Sequence, residues 1–245
     1  MVKSKVLCGL LSFSIVVSSL SGCATANVPS QKDANKSKID SIKTVDIYYH
    51  KTDYAVMDLG GSGMSGLGGM FGVVGLLASL GAHAASKLTA SDRADVRSHE
   101  FSELMRTHES DIDQDQASKL AEFVASTGRK VKLVEIDRPL GEKLVWKPAA
   151  SDSKEEGSAA LLLRTSLGYG AESMTSSYKP MVVTEYVLQT GNGDILVDGK
   201  ETLWGDGPTY MTYDGLKKSY DAVHVALRTD SLSVAQKIFH ATLEK

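Results

Sequence analysis

Reactive side chains are sparse in this chain, and their types and spacing set what each can do. Two cysteines occur in 245 residues, Cys8 and Cys23, so any thiol chemistry has only these to draw on. Asp111, Asp113, Asp115 and Glu122 stand at positions 1, 3, 5 and 12 of a calcium-loop pattern. Gln116 occupies the place where an EF-hand needs glycine for its turn, and Lys119 puts a cation at position 9. The acids are therefore expected to serve a helix instead, with Asp113 or Asp115 capping residues 116–126. Gly61-Ser62-Gly63-Met64-Ser65-Gly66 has the G-x-G-x-x-G form of a dinucleotide loop. The acidic residue required about 20 residues later is missing, because Ser86 and Lys87 stand there. Six histidines are scattered singly, and His99 and His108 are too far apart to make a metal pair alone. Glu155 and Glu156 sit in loop composition, where solvation is the economical reading. No His-Glu-x-x-His, Gly-x-Ser-x-Gly or P-loop lysine occurs. The expectation is a chain with no catalytic residue, no metal site and no cofactor, and so not an enzyme. A hydrolase whose carboxylates converge only in the fold remains an alternative.

Cys23 has a setting of its own. Lys3 and Lys5 open the chain, an apolar run follows over residues 6–20, and Leu20-Ser21-Gly22-Cys23 closes it. That is the layout of an export signal, too short to span a bilayer comfortably. The four closing residues resemble the lipobox of bacterial outer-membrane lipoproteins. The resemblance implies that residues 1–22 are a cleaved signal peptide, that the Cys23 sulfur carries diacylglycerol, and that its amine takes a fatty acyl chain such as palmitate. It also implies an outer-membrane address, because Ala24 stands where inner-membrane retention uses Asp, with the body in the periplasm. No thiol would then remain, and packing alone would stabilise the body. Residues 23–40, with Pro29, Asn35 and many Lys and Ser, read as a flexible tether.

The stretch 59–86 holds 28 residues without a formal charge, nine of them glycine. As a helix it would run about 42 Å, longer than a hydrocarbon core of about 30 Å. Each glycine costs a solvated helix about 1 kcal/mol relative to alanine, so close packing must compensate. Gly68 and Gly72 are spaced as G-x-x-x-G, and Gly66, Gly69, Gly72 and Gly75 recur every three residues. The stretch is similar to the glycine-zipper segments of outer-membrane lipoproteins. Three readings stand for these glycines: a helix or helical hairpin in contact with the membrane, a buried or oligomer-forming segment of a water-soluble body, or a mobile glycine-rich loop.

The remainder must supply the framework. At 42% hydrophobic and 23% charged residues the chain is globular in composition, and a net charge of −3 leaves no basic footprint for nucleic acid. β-Branched and aromatic runs predict strands over 41–50, 54–59, 130–136, 159–168, 180–189 and 195–204. The first two are expected to join as a hairpin through residues 50–53. The pair at 180–189 and 195–204 should form another around Asn192-Gly193. Helical spacing predicts helices from residue 91, over 116–126 with Gly128 after its end, and over 216–228 and 232–243, the last capped by Asp230 or Ser231. The fold class is α/β (α+β): a mixed or largely antiparallel sheet of about five strands packed by helices in one domain, 41–245, with the glycine-rich stretch inserted.

The strand "ALLLRTSLGYG" followed by "MVVTEYVLQTGNGDILVDGKETLWG", which ends on Trp204, looks like the later half of small periplasmic lipoproteins of the PelC, LpoB and CsgG N-terminal-domain group. That resemblance implies a mixed sheet and a non-enzymatic structural or assembly role in a cell-envelope machine, with self-association. Its alternative is a monomeric module that binds peptidoglycan or a peptidoglycan synthase. The expected partners are the membrane through the lipid, other envelope components and further copies of the chain.

Overall fold

A computed structural model describes residues 30–58, 90–107, 111–139, 144, 157–171 and 175–244. Cys23 and the zipper glycines Gly66, Gly68, Gly69, Gly72 and Gly75 lie outside them, as do His108, Trp146, Glu155 and Glu156. The elements are α1 (Gln31–Ala34), α2 (Lys36–Ser41), β1 (Thr44–Tyr49), β2 (Tyr54–Asp58), α3 (Ala90–Met105), α4 (Ile112–Ser126), β3 (Lys130–Glu135), β4 (Ser158–Ala171), β5 (Lys179–Thr190), β6 (Ile195–Trp204), α5 (Tyr213–Lys218) and α6 (Tyr220–Thr242).

One mixed sheet of six strands carries the fold, in the order β3-β1-β4-β5-β6 with β2 beside β4. β5 and β6 form the expected antiparallel hairpin, closed by the Gly193 N–H donating to the Thr190 carbonyl at 2.8 Å. Gly193 has φ 90°, a backbone that glycine adopts without strain. The expected β1–β2 hairpin does not form. Both strands run parallel to β4, Thr44–Tyr48 beside Ser158–Leu162 and Tyr54–Asp58 beside Leu167–Ala171, so β2 continues the line of β1. Ten steps along the chain from Thr44 to Tyr54 match nine from Ser158 to Leu167, and the surplus is taken up in the break at residues 50–53.

Helices α3, α4 and α6 cover one face of the sheet. Val45, Ile47, Leu161, Leu163, Leu167, Val182 and Leu188 from the strands meet Phe101, Leu120, Val124, Val223, Leu227, Val234 and Ile238 from the helices in the main core. A smaller cluster of Tyr48, Ala160 and Leu162 with Val134, Ile136 and Leu144 lies on the other face. This is the expected α+β architecture with a sixth strand.

Three local expectations are revised. α4 starts at Ile112, and its cap is Asp111, whose carboxylate accepts from the N–H groups of Asp113 and Gln114 at 3.0 and 3.3 Å; Asp113 is buried in the first turn. The two expected C-terminal helices are one, running through the expected cap at Asp230 and Ser231; in the expected break Thr229 Oγ1 donates back to the Val225 carbonyl at 2.8 Å. Residues 31–41, placed within or beside the tether, fold as α1 and α2 and bury Ile39 and Ile42.

The same short helices protect a sheet edge. Gln31 exchanges two hydrogen bonds with Asp198 of β6, and Asn35 Nδ2 donates to the Leu196 carbonyl at 2.8 Å. β2 is closed by α3 in a similar way. Ser98 Oγ accepts from the Val56 N–H at 2.9 Å and donates to the Val56 carbonyl at 3.3 Å, and Ser102 Oγ donates to the Tyr54 carbonyl at 3.0 Å. Two serines one helical turn apart thus take the place of a neighbouring strand. Among the described residues no helix is long and apolar enough to cross a membrane.

Candidate binding groove

The exposed face of α6 and the chain leaving β6 enclose a groove of about 750 Å³. Helical periodicity accounts for the helix side. Ala222, Val225, Ala226, Thr229, Asp230, Ser233 and Lys237 recur at steps of one, three and four, while Val223, Leu227, Val234 and Ile238 face the core from the other flank. The opposite wall is Leu203, Trp204, Gly205, Asp206, Gly207 and Pro208. Two of these glycines allow the wall to approach. A Cβ on Gly205 would fall on the Asp230 carboxylate, and one on Gly207 would lie 2.8 Å from the Ala226 Cβ. Trp204 is seated across β4 at Gly170, where a Cβ would come within 2.9 Å of its ring.

The lining is mostly apolar, with Trp204, Leu203, Pro208 and the 63%-exposed Val225. Three carboxylates, Asp206, Asp221 and Asp230, face it against one cation, Lys237. Asp230 Oδ2 is buried with no hydrogen-bond partner among the described residues. Burial, and then the neighbouring charge of Asp206, hold its carboxyl above the usual range. Apolar surface with a few convergent charges is suited to binding.

The other concentration of polar groups is sealed in the break between β1 and β2. At that point β4 is paired with β5 but has no strand on its other side, and two side chains take that place. His50 Nε2 accepts from the Thr165 N–H at 3.1 Å, and Arg138 Nη1 donates to the Thr165 carbonyl at 2.6 Å. Arg138 also donates to Ser166 Oγ at 2.6 Å and pairs with Asp53 at 3.2 Å. Because Nε2 accepts, the proton of a neutral His50 sits on Nδ1, 2.7 Å from the Lys51 carbonyl. Burial, and next the Arg138 cation, push this imidazole down to about 4. Asp113 Oδ2 lies 3.4 Å from His50 Nδ1, yet among the described residues neither carboxyl oxygen has a hydrogen bond. Burial and the nearby Asp111 push the Asp113 carboxyl well above its usual range, so it favours the protonated form. Beside it, Gln116 joins α4 to Thr165, Thr184 and the Ser231 carbonyl. An imidazole with both nitrogens engaged and side chains only 2% exposed has no reach to a substrate. The cluster completes the sheet.

Thus the structure assigns Asp111, from the tested calcium pattern, to a helix cap and Asp113 to a buried cluster, and Asp115 to an ion pair with Arg228 at 2.6 Å. His99 is exposed on α3. None of the groove residues was expected as a site. The signal in the sequence was Gly205-Asp206-Gly207-Pro208 directly after an aromatic strand end.

No protein-family model matches this chain. No curated protein matches it either. Among solved structures, it is similar to a minor lipoprotein from Acinetobacter baumannii, with 11% identity over 52% of this chain and 81% of that one, at a TM-score of 0.32. It is also similar to an uncharacterized protein, with 11% identity over 80% of this chain and 92% of that one, at a TM-score of 0.26. Likenesses of that size leave the role to be argued from the chain itself.

Proposed function

We propose that this chain is a lipid-anchored protein of the outer membrane that acts as a non-enzymatic structural or assembly component of a cell-envelope machine. The observation that carries the reading is Cys23 at the end of Leu20-Ser21-Gly22, after a basic start and an apolar run. Two chains on diacylglycerol and one on the amine give stable anchoring, beyond the two signals that a peripheral protein needs. The body beneath the anchor fits a binding role, since its groove offers apolar surface and carboxylates. Its His50 and half-buried Arg138 bond the Thr165 backbone in the sheet, with Asp113 buried beside them. Self-association through Gly66, Gly68, Gly69, Gly72 and Gly75 belongs to the same reading.

Labelling with radioactive palmitate followed by membrane fractionation tests it. The wild type should incorporate label and sediment with outer membranes, and Cys23→Ser should lose both. An unlabelled wild type would remove the anchor. A Cys23→Ser protein that still sediments would transfer anchoring to the stretch 59–86. A Gly72→Leu variant with the same mass in detergent as the wild type would argue for a monomeric binding module.

A further inference from the structure

We propose that the groove between α6 and the chain after β6 is a docking site for a lysine- or arginine-bearing segment of a partner protein. It goes beyond the anchoring role, because the groove would act in the same way on a chain that lacked the lipid.

Charge complementarity selects the occupant. Among the described residues of the lining, Asp206, Asp221 and Asp230 stand with the single cation Lys237, so an anionic ligand or lipid headgroup would be repelled and a cation attracted. The carboxylates stand among Trp204, Leu203, Pro208 and Val225 rather than in open solvent. Long basic side chains suit that mixture, because their methylene stems lie on apolar surface while the charged head reaches a polar group. An aromatic ring nearby adds attraction for the same cation. Asp230 supplies the independent sign of a missing partner. Its Oδ2 is buried and accepts no hydrogen bond among the described residues, and the close approach at Gly205 holds it in place. Its negative charge, left without a bonded partner on the groove wall, attracts a guanidinium or ammonium that enters. Val225, 63% exposed on a helix whose other flank is core, would be covered by the same segment. At about 750 Å³ the groove has room for a few side chains of a peptide.

The test uses the full-length, detergent-extracted protein and a short labelled peptide of alternating Lys and Leu, with binding read as fluorescence anisotropy. The Lys peptide should bind, and its Glu-for-Lys counterpart should not. Asp206→Asn combined with Asp230→Asn should weaken binding about tenfold or more, equivalent to at least about 1.4 kcal/mol. Val225→Arg should abolish it by placing a cation in the groove. Asp206 and Val225 are exposed, so these variants should melt like the wild type, and Asp206→Asn alone remains informative if Asp230→Asn perturbs folding. Equal binding of both peptides, or binding unchanged in Asp206→Asn and in Val225→Arg, would overturn the proposal. So would binding of anionic vesicles in preference to the peptide, or self-association that Val225→Arg abolishes, which would make a second copy the occupant. Cys23→Ser should leave peptide binding intact, so failure of the anchor and failure of the groove are read separately.

Discussion

Arg129 shows how much of this fold one side chain can hold. It is 5% exposed, and its guanidinium donates to the carbonyls of Ile39, Ile42 and Leu243 at 3.1, 3.3 and 2.7 Å and to Thr127 Oγ1 at 2.9 Å. Ile42, Thr127 and Leu243 are the C-caps of α2, α4 and α6, so three negative helix ends meet one cation. Removing it strands buried acceptors, and Arg129→Met is expected to cost about 3–5 kcal/mol in urea unfolding. Arg129→Lys should recover only part of this, since a point charge cannot fork among separate carbonyls. Asp113 gives the opposite kind of prediction. Its folded pKa is raised, so above the unfolded carboxylate range the folded state keeps a proton that the unfolded chain releases, and stability falls as pH rises. His50 works in the other sense. Its folded value of about 4 lies below the usual 6.5, so its contribution is present at neutral pH and is lost as pH falls from about 6.5 toward 4. Asp113→Asn removes the first effect alone. The variant should gain on the wild type steadily from pH 5 to pH 8 in thermal melts, and a pH-independent difference would refute the buried-acid account.

At the scale of elements, the sheet edges are closed by side chains more than by strands. Ser98 and Ser102 serve β2 as Gln31 and Asn35 serve β6. Replacing Ser98 with Ala leaves the Val56 N–H and carbonyl without it, a loss expected at about 1–3 kcal/mol, with faster hydrogen exchange at Val56 and little change at Val182 in the sheet centre. No such contact was legible in the sequence, where Ser98 is one small polar residue in a charged helix. Legibility followed periodicity. The strands β3 to β6 and their Asn192-Gly193 turn could be read because alternation and turn chemistry are local. The β1–β2 relation could not, since a polar break at residues 50–53 looks the same whether the chain reverses or continues. What decides between them is His50 and Arg138 substituting for a strand at Thr165, a contact between residues 115 and 27 positions apart. The break expected near Asp230 failed for a related reason. Thr229, Asp230 and Ser231 are capping types, and only the fold shows Thr229 bonded along the helix, Asp230 turned to the groove and Ser231 buried.

For the whole molecule, the consequential difference is where the folded body begins. Composition alone places residues 23–40 in a tether, because Lys, Ser and Asn dominate and large apolar side chains are scarce. Yet the few apolar residues at its end are used fully: Ile39 and Ile42 are 2% and 6% exposed, and both also offer carbonyls to Arg129. Lys32 Nζ reaches the His240 carbonyl at 2.6 Å, so the start of the body is tied to the end of α6. Under the proposed lipidation of Cys23, the folded body begins near Ser30, closer to the anchor than composition suggests, and a pull from the anchor would act on β6 and α6, which border the groove. Cutting the chain tests this directly. A body beginning at Ser30 should match the full chain in denaturant midpoint, whereas one beginning at Thr44 loses two buried isoleucines, worth about 1.5–3 kcal/mol each, and two of the acceptors of Arg129. The shorter body should melt lower by roughly 10 °C or more, and its β6 amides near Leu196 and Asp198 should exchange faster. Equal stability of the two would return α1 and α2 to the status of a tether.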